Sequence, residues 1–128
     1  VTLHYIDSGI DTGDIVAQVE VPITETTTGL SLYQECTIAG VSLFKQYFPL
    51  IEEERAPRRV QVISEKTKYY PRNFPSQEVD FTKTGEEIFR HIRANIFPPY
   101  PSAYFYIGDK KYMIQEEGKI QNANINKT

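Results

Sequence analysis

The chain has 128 residues, 40% of them hydrophobic and 24% charged. That is enough for one ordinary domain and too apolar for wholesale disorder. Fourteen basic residues against seventeen acidic ones leave a net charge of −3, which excludes a general nucleic-acid coat protein. Cys36 is the single cysteine, so an intrachain disulfide and a cysteine-based zinc cage are excluded. No apolar run approaches the roughly 20 residues that span a bilayer, and no signal-peptide pattern opens the sequence. A soluble, reducing, cytoplasmic setting is the expectation.

In chain order, Val1–Ile6 alternates, is rich in β-branched residues and reads as a strand. Asp7 to Asp14 follows with two Gly and three Asp in eight residues, the composition of a tight, shaped loop. Ile15 to Pro22 alternates again, with Ile15, Ala17, Val19 and Val21 expected on one face. A Thr-rich breaker precedes Leu30 to about Glu53. There Tyr33, Cys36, Gly40, Leu43, Phe44, Tyr47, Phe48 and Ile51 recur at helical spacing, with Pro49 expected to kink or end the helix. Arg58–Ile63 is a short strand candidate, and residues 64–80 read as a linker without periodicity. Thr84-Gly-Glu-Glu87 is a capping box that opens a helix running to about Asn95. Ala103–Ile107 and Lys110–Gln115 flank Gly108-Asp109, the pattern of a type II′ hairpin. Gln121–Thr128 is Asn-rich and expected to fray.

The segment from His4 to Asp14 is the densest set of ionisable groups. Turns between strands are commonly built from Asp and Gly, so a purely structural loop is one reading. Asp7, Asp11 and Asp14 could offer oxygen ligands to a metal, but their spacing misses the EF-hand pattern and its terminal Glu. Ile10-Asp-Thr-Gly13 contains the Asp-Thr-Gly triplet of a retroviral-type aspartic protease, whose two such Asp residues share a proton across a homodimer. That family usually places Ala or Ser after the Gly, where this chain has Asp14, and has no place for the long helix.

A longer stretch, Val1-Thr-Leu-His-Tyr-Ile-Asp-x-Gly-Ile-Asp-Thr-Gly-Asp-Ile-Val-Ala-Gln18, resembles the folate-dependent formyltransferases that act on methionyl-tRNA, glycinamide ribonucleotide and amino sugars. The likeness continues at Val21-Pro-Ile23, Leu30-Ser-Leu-Tyr33, Val79-Asp-Phe81, Ile92-Arg-Ala94 and Pro99-Tyr-Pro101. The resemblance implies an α/β chain, the C-terminal half of a Rossmann-like catalytic domain over residues 1–63. After the linker at 64–80, a small helix-plus-hairpin subdomain would occupy 81–128. It also implies 10-formyltetrahydrofolate as cosubstrate, no metal, Asp11 as the essential acid and His4 as its neighbour. Tyr5, Ile6, Asp7, Gly9, Ile10 and Gly13 would lie in the loop that binds the pterin edge. The family's Asn-x-His motif has no counterpart here, since His91 lacks an Asn two residues before it. The expectation is therefore the closing portion of a longer enzyme, inactive without the preceding half.

Tyr69-Tyr-Pro-Arg72 and Arg93-x-x-x-x-Pro98-Pro-Tyr-Pro101 look most like the sugar N-formyltransferases. Tyr70, Arg72 and Arg93 would then hold a nucleotide-linked amino sugar, since Arg suits a diphosphate and Tyr stacks on a ring. The alternative amine is methionyl-tRNA, supported by six basic residues between Arg55 and Arg72 with Glu65 as the one acid. The aromatic hairpin, with Tyr104, Tyr106 and Tyr112, is also a candidate homodimer surface.

Overall fold

A computed structural model describes residues 1–62, 64, 67–69 and 76–115, and the backbone of 120–122. Its contacts divide the chain into two units, Val1–Pro22 with Gln34–Arg72 and Ile23–Tyr33 with Asn73–Thr128.

In the first unit, β1 (Thr2–His4) and β2 (Ile15–Gln18) form an antiparallel hairpin with Leu3 opposite Ala17 and His4 opposite Ile15. Val16 is the buried residue of β2, rather than the Ile15 and Ala17 face expected from alternation. Ile15-Val-Ala is apolar in both phases, so alternation alone cannot choose the face. The strand expected over Arg58–Ile63 reduces, among the described residues, to one bridge: Ile15 and Arg59 exchange backbone hydrogen bonds of 2.8 and 3.0 Å.

Helix α1 (Gly29–Glu52) opens on a reciprocal cap. Ser31 N–H donates to Thr28 Oγ1 at 3.1 Å, and Thr28 N–H donates to Ser31 Oγ at 2.9 Å. Contrary to expectation, Pro49 does not end the helix, which runs three residues further. So near the C-terminus the missing proline N–H deprives only the exposed Lys45 carbonyl, which water can satisfy. The chain leaves through Glu54 in the left-handed region, φ 56°, with Arg55 N–H donating to Leu50 C=O at 2.8 Å. Leu43 is the buried position of the helix.

The second unit holds α2 (Gly85–Ala94), whose capping box is formed as expected. Thr84 Oγ1 accepts from Glu87 N–H, and the Glu87 carboxylate accepts from Thr84 N–H at 3.0 Å. Its core is Val79, Ala103 and Ile114, with Ile88, Ile92 and Phe105 packed against them. Strands β3 (Tyr104–Ile107) and β4 (Lys110–Ile114) pair around Gly108-Asp109. Gly108 has φ 60°, the first-position geometry of a II′ turn. A third strand, β5 (Ile120–Asn122), pairs with β4, so Gln121 and Asn122 belong to the sheet and not to a frayed tail. Residues 123–128 lie outside the described set. The end of the segment read as linker is docked: Val79 N–H donates to Tyr104 C=O at 2.8 Å and Tyr104 N–H to Gln77 C=O at 3.0 Å.

The Thr-rich breaker also belongs to this second unit, for a visible reason. Arg93 Nη1 donates to Thr24 C=O at 2.7 Å and Thr27 C=O at 3.0 Å, while Leu30 N–H donates to Ile96 C=O at 3.0 Å. A Cβ at Gly29 would stand 2.4 Å from the Ala94 carbonyl oxygen, so that approach requires glycine.

Thr84→Ala should lower stability by about 1 kcal/mol in urea or thermal unfolding, the usual cost of a lost N-cap. Hydrogen bonds from the Thr84 N–H and then its hydroxyl hold the Glu87 carboxyl below its ordinary value of 4.5. That stabilisation is complete above the ordinary value and is lost as pH falls through the depressed one, so the variant should show a shallower acid dependence than the parent.

Candidate functional site

The loop between β1 and β2 is built around close backbone approach. Tyr5 N–H donates to Asp14 C=O at 2.9 Å and closes it. Gly13 is buried, and a Cβ there would lie 1.8 Å from the Tyr5 carbonyl oxygen. Inside the loop, Asp7 Oδ1 accepts from Gly9 N–H at 2.9 Å and from the Thr12 hydroxyl at 2.7 Å. The Thr12 hydroxyl first, and the Gly9 N–H second, hold the Asp7 carboxyl below the usual carboxylate range. Asp7 thus shapes the loop, and its oxygen is already engaged.

Asp11 is different. It adopts φ 54°, a left-handed conformation uncommon outside glycine, and its side chain is 82% exposed. Its Oδ1 lies 3.8 Å from His4 Nε2. His4 Nδ1 is 2.8 Å from the Tyr5 carbonyl oxygen. A carbonyl only accepts, so Nδ1 carries the proton and Nε2 is the nitrogen turned toward the carboxylate. Uncharged, that ring would set a lone pair against Asp11; protonated, it sets an N–H there. The two groups stand at ion-pair distance, beyond a direct hydrogen bond.

The loop wall is an open concavity of about 250 Å³ lined by His4 through Gly13 except Ser8. Ile6 and Ile10 are 95% and 77% exposed in it. Among the described residues, neither backbone polar group of either isoleucine has a hydrogen-bond partner. Apolar side chains beside open N–H and C=O groups suit a flat heterocycle with amide-like edges. No group of three or more His, Cys, Asp or Glu residues able to hold a metal occurs among the described residues.

Two residues that the sequence reading did not place at the loop brace it from the segment after α1. Gln61 Nε2 donates to Asp11 C=O at 3.1 Å and to Gly13 C=O at 2.6 Å. The Arg58 guanidinium lies over the Tyr5 ring, 3.8 Å from its centroid, with Nη1 3.5 Å from Asp14 Oδ2. No periodicity signals these partnerships; only Gln and Arg in an otherwise irregular stretch hint at long-range contacts. Arg58 had been one of the six residues of a basic strip. Within that strip Arg55 pairs with Glu53 at 2.6 Å and Arg59 hydrogen-bonds to Gln18, so the described arginines are engaged within their own unit.

Of the residues expected to meet the substrate, Tyr70 and Arg72 lie outside the described residues. Arg93 belongs to the second unit, where one of its nitrogens ties the carbonyls of the Thr-rich turn.

Residues 75–127 match a family model described as formyl transferase, C-terminal domain. A methionyl-tRNA formyltransferase of Geobacillus sp. (strain WCH70) is 40% identical over 106 residues, 81% of this chain and 32% of the relative. Residues 75–127 thus match the C-terminal domain of the formyltransferases, and the chain is similar to that family over most of its length. An N-formyltransferase from Helicobacter canadensis, solved in complex with folinic acid and dTDP-3-aminofucose, superposes with a TM-score of 0.74 at 34% identity. That match covers 87% of this chain and 41% of the other. A 4-N formyltransferase from Francisella tularensis gives a TM-score of 0.71 at 27% identity, over 94% of this chain and 48% of the other. The chain spans about a third of the length of the curated relatives it matches. No helix among the described residues is long and apolar enough to cross a membrane.

The two loop glycines should respond differently to a methyl group. At Gly9 the obstacle is the Thr12 hydroxyl, the end of a side chain that can rotate; at Gly13 it is backbone. Gly13→Ala should cost on the order of 1–3 kcal/mol and Gly9→Ala clearly less, measured by thermal unfolding of the two variants side by side.

Proposed function

We propose that the loop from Tyr5 to Gly13 is one wall of a formyl-transfer site, with 10-formyltetrahydrofolate as donor and an amine as acceptor. The observation that carries this reading is the Asp11–His4 pair at 3.8 Å beside a concavity whose rim presents free backbone groups and exposed isoleucines. Ile6 and Ile10 would cover the faces of the pterin ring, and their backbone groups would meet its amide-like edge. The bound folate supplies the formyl carbon that the amine attacks.

The chain's own residues then manage protons and orientation. Tyr5 C=O fixes the His4 tautomer, and Nε2 faces Asp11. Asp11 accepts the proton that the attacking nitrogen must release, directly or through the imidazole, and stabilises the imidazolium that results. The donors that would face the developing oxyanion belong, in this reading, to a segment of the enzyme homologous to the rest of the relatives' length. Residues 1–63 are read accordingly as the closing part of a Rossmann-like catalytic domain.

For the amine we favour a nucleotide-linked amino sugar. A mainly apolar concavity of about 620 Å³ in the second unit, lined by Phe97, Tyr100, Tyr104 and Asn95 among others, is a surface on which a base could stack. Its relative from Helicobacter canadensis was solved with such a sugar nucleotide. Methionyl-tRNA is the second reading, favoured by the 40% identity to a methionyl-tRNA formyltransferase.

In the full-length protein, Asp11→Asn should lower formyl transfer by roughly two to four orders of magnitude, the usual weight of a general base. Binding of 5-formyltetrahydrofolate, followed by calorimetry, should change little; near-normal turnover would reject the assignment. Offering that protein a nucleotide-linked amino sugar and a methionyl-tRNA in parallel decides the acceptor, the sugar being the one expected to turn over.

A further inference from the structure

Asp11 holds a left-handed backbone conformation, φ 54°, that few residues other than glycine adopt. A contact on its backbone comes from fifty residues away. The Gln61 amide nitrogen donates to the carbonyl of Asp11 and to that of Gly13, at 3.1 and 2.6 Å. A single side-chain amide thus ties down the Asp11–Thr12 and Gly13–Asp14 peptide units, and with them the direction in which the Asp11 carboxylate leaves the loop. Arg58 reaches the same loop from the same segment, but it grips the base, at Tyr5 and Asp14.

We propose that Gln61 is a positioning residue for formyl transfer, acting through Asp11 and touching neither substrate. This deepens the reading of the loop as the transfer site and rests on it. The role needs N–H donors, since both partners are carbonyl oxygens. Gln61→Met keeps length and removes the donors; Gln61→Lys restores donors on a chain of similar length.

The test uses the full-length protein with single-turnover and steady-state kinetics, together with amide hydrogen exchange of residues 9–13. Gln61→Met should unfold at nearly the parent temperature, exchange the loop amides at least tenfold faster and lose at least tenfold in kcat with little change in KM for the folate. Gln61→Lys should recover part of the kcat. In an Asp11→Asn background, Gln61→Met should cause no comparable further loss, because the residue through which it acts is already disabled. An equal loss in both backgrounds, or unchanged exchange with unchanged kcat, would overturn the proposal. Should Asp11→Asn itself turn over normally, the reading of the loop as the transfer site falls, and the exchange rates still decide whether Gln61 holds the loop.

Discussion

The β1–β2 loop depends on one backbone contact, the approach of Gly13 to the Tyr5 carbonyl beside the Tyr5–Asp14 hydrogen bond. With no side chain at position 13, the two ends of the loop can close tightly. The ten residues between the strands then curl outward into a rim instead of extending the hairpin. Asp7 uses its carboxylate to stiffen the first half of that rim through Gly9 and Thr12. The second half carries Asp11, whose carboxylate stays exposed and faces His4. Two aspartates four residues apart thus stand in different settings, one engaged within its own loop and one open to solvent. Their environments distinguish them: Asp7 has donors from its own loop, and Asp11 has an imidazole.

The same loop shows how the rest of the first unit serves the site. Helix α1 delivers the chain to Arg55, and the following segment returns along β2 through the Ile15–Arg59 bridge. That bridge sets Arg58 against the base of the loop and Gln61 against its second half. An irregular segment with one bridge and two long side chains does here what a third strand would do less selectively. A strand would pair backbone to backbone, whereas Gln61 can reach two carbonyls that point the same way.

Much of this was legible in the residues. The two opening strands, the long helix, the Thr84–Glu87 cap and the Gly108 hairpin each carry a local signal that tertiary structure did not override. The resemblance to formyltransferases also picked out His4 and Asp11, which the fold sets 3.8 Å apart. The bracing role of Gln61 was not legible, because its partners are backbone atoms fifty residues earlier and leave no pattern in side-chain type. β5 was missed because Ile-Gln-Asn has little strand propensity and pairs only where β4 offers an open edge. Pro49 misled for a related reason: a helix breaker one turn from the end leaves little helix to break. The place of Ile23–Tyr33 in the second unit followed from Arg93 binding carbonyls, a contact invisible to composition.

The central claim is that the rim from Tyr5 to Gly13 receives the folate. It is tested most directly by titrating 5-formyltetrahydrofolate into isotope-labelled full-length protein and following the backbone amide resonances. The account predicts that Ile6, Ile10 and their neighbours up to Gly13 shift most, in step with binding. Saturable binding that leaves those amides unmoved while resonances elsewhere shift would contradict it.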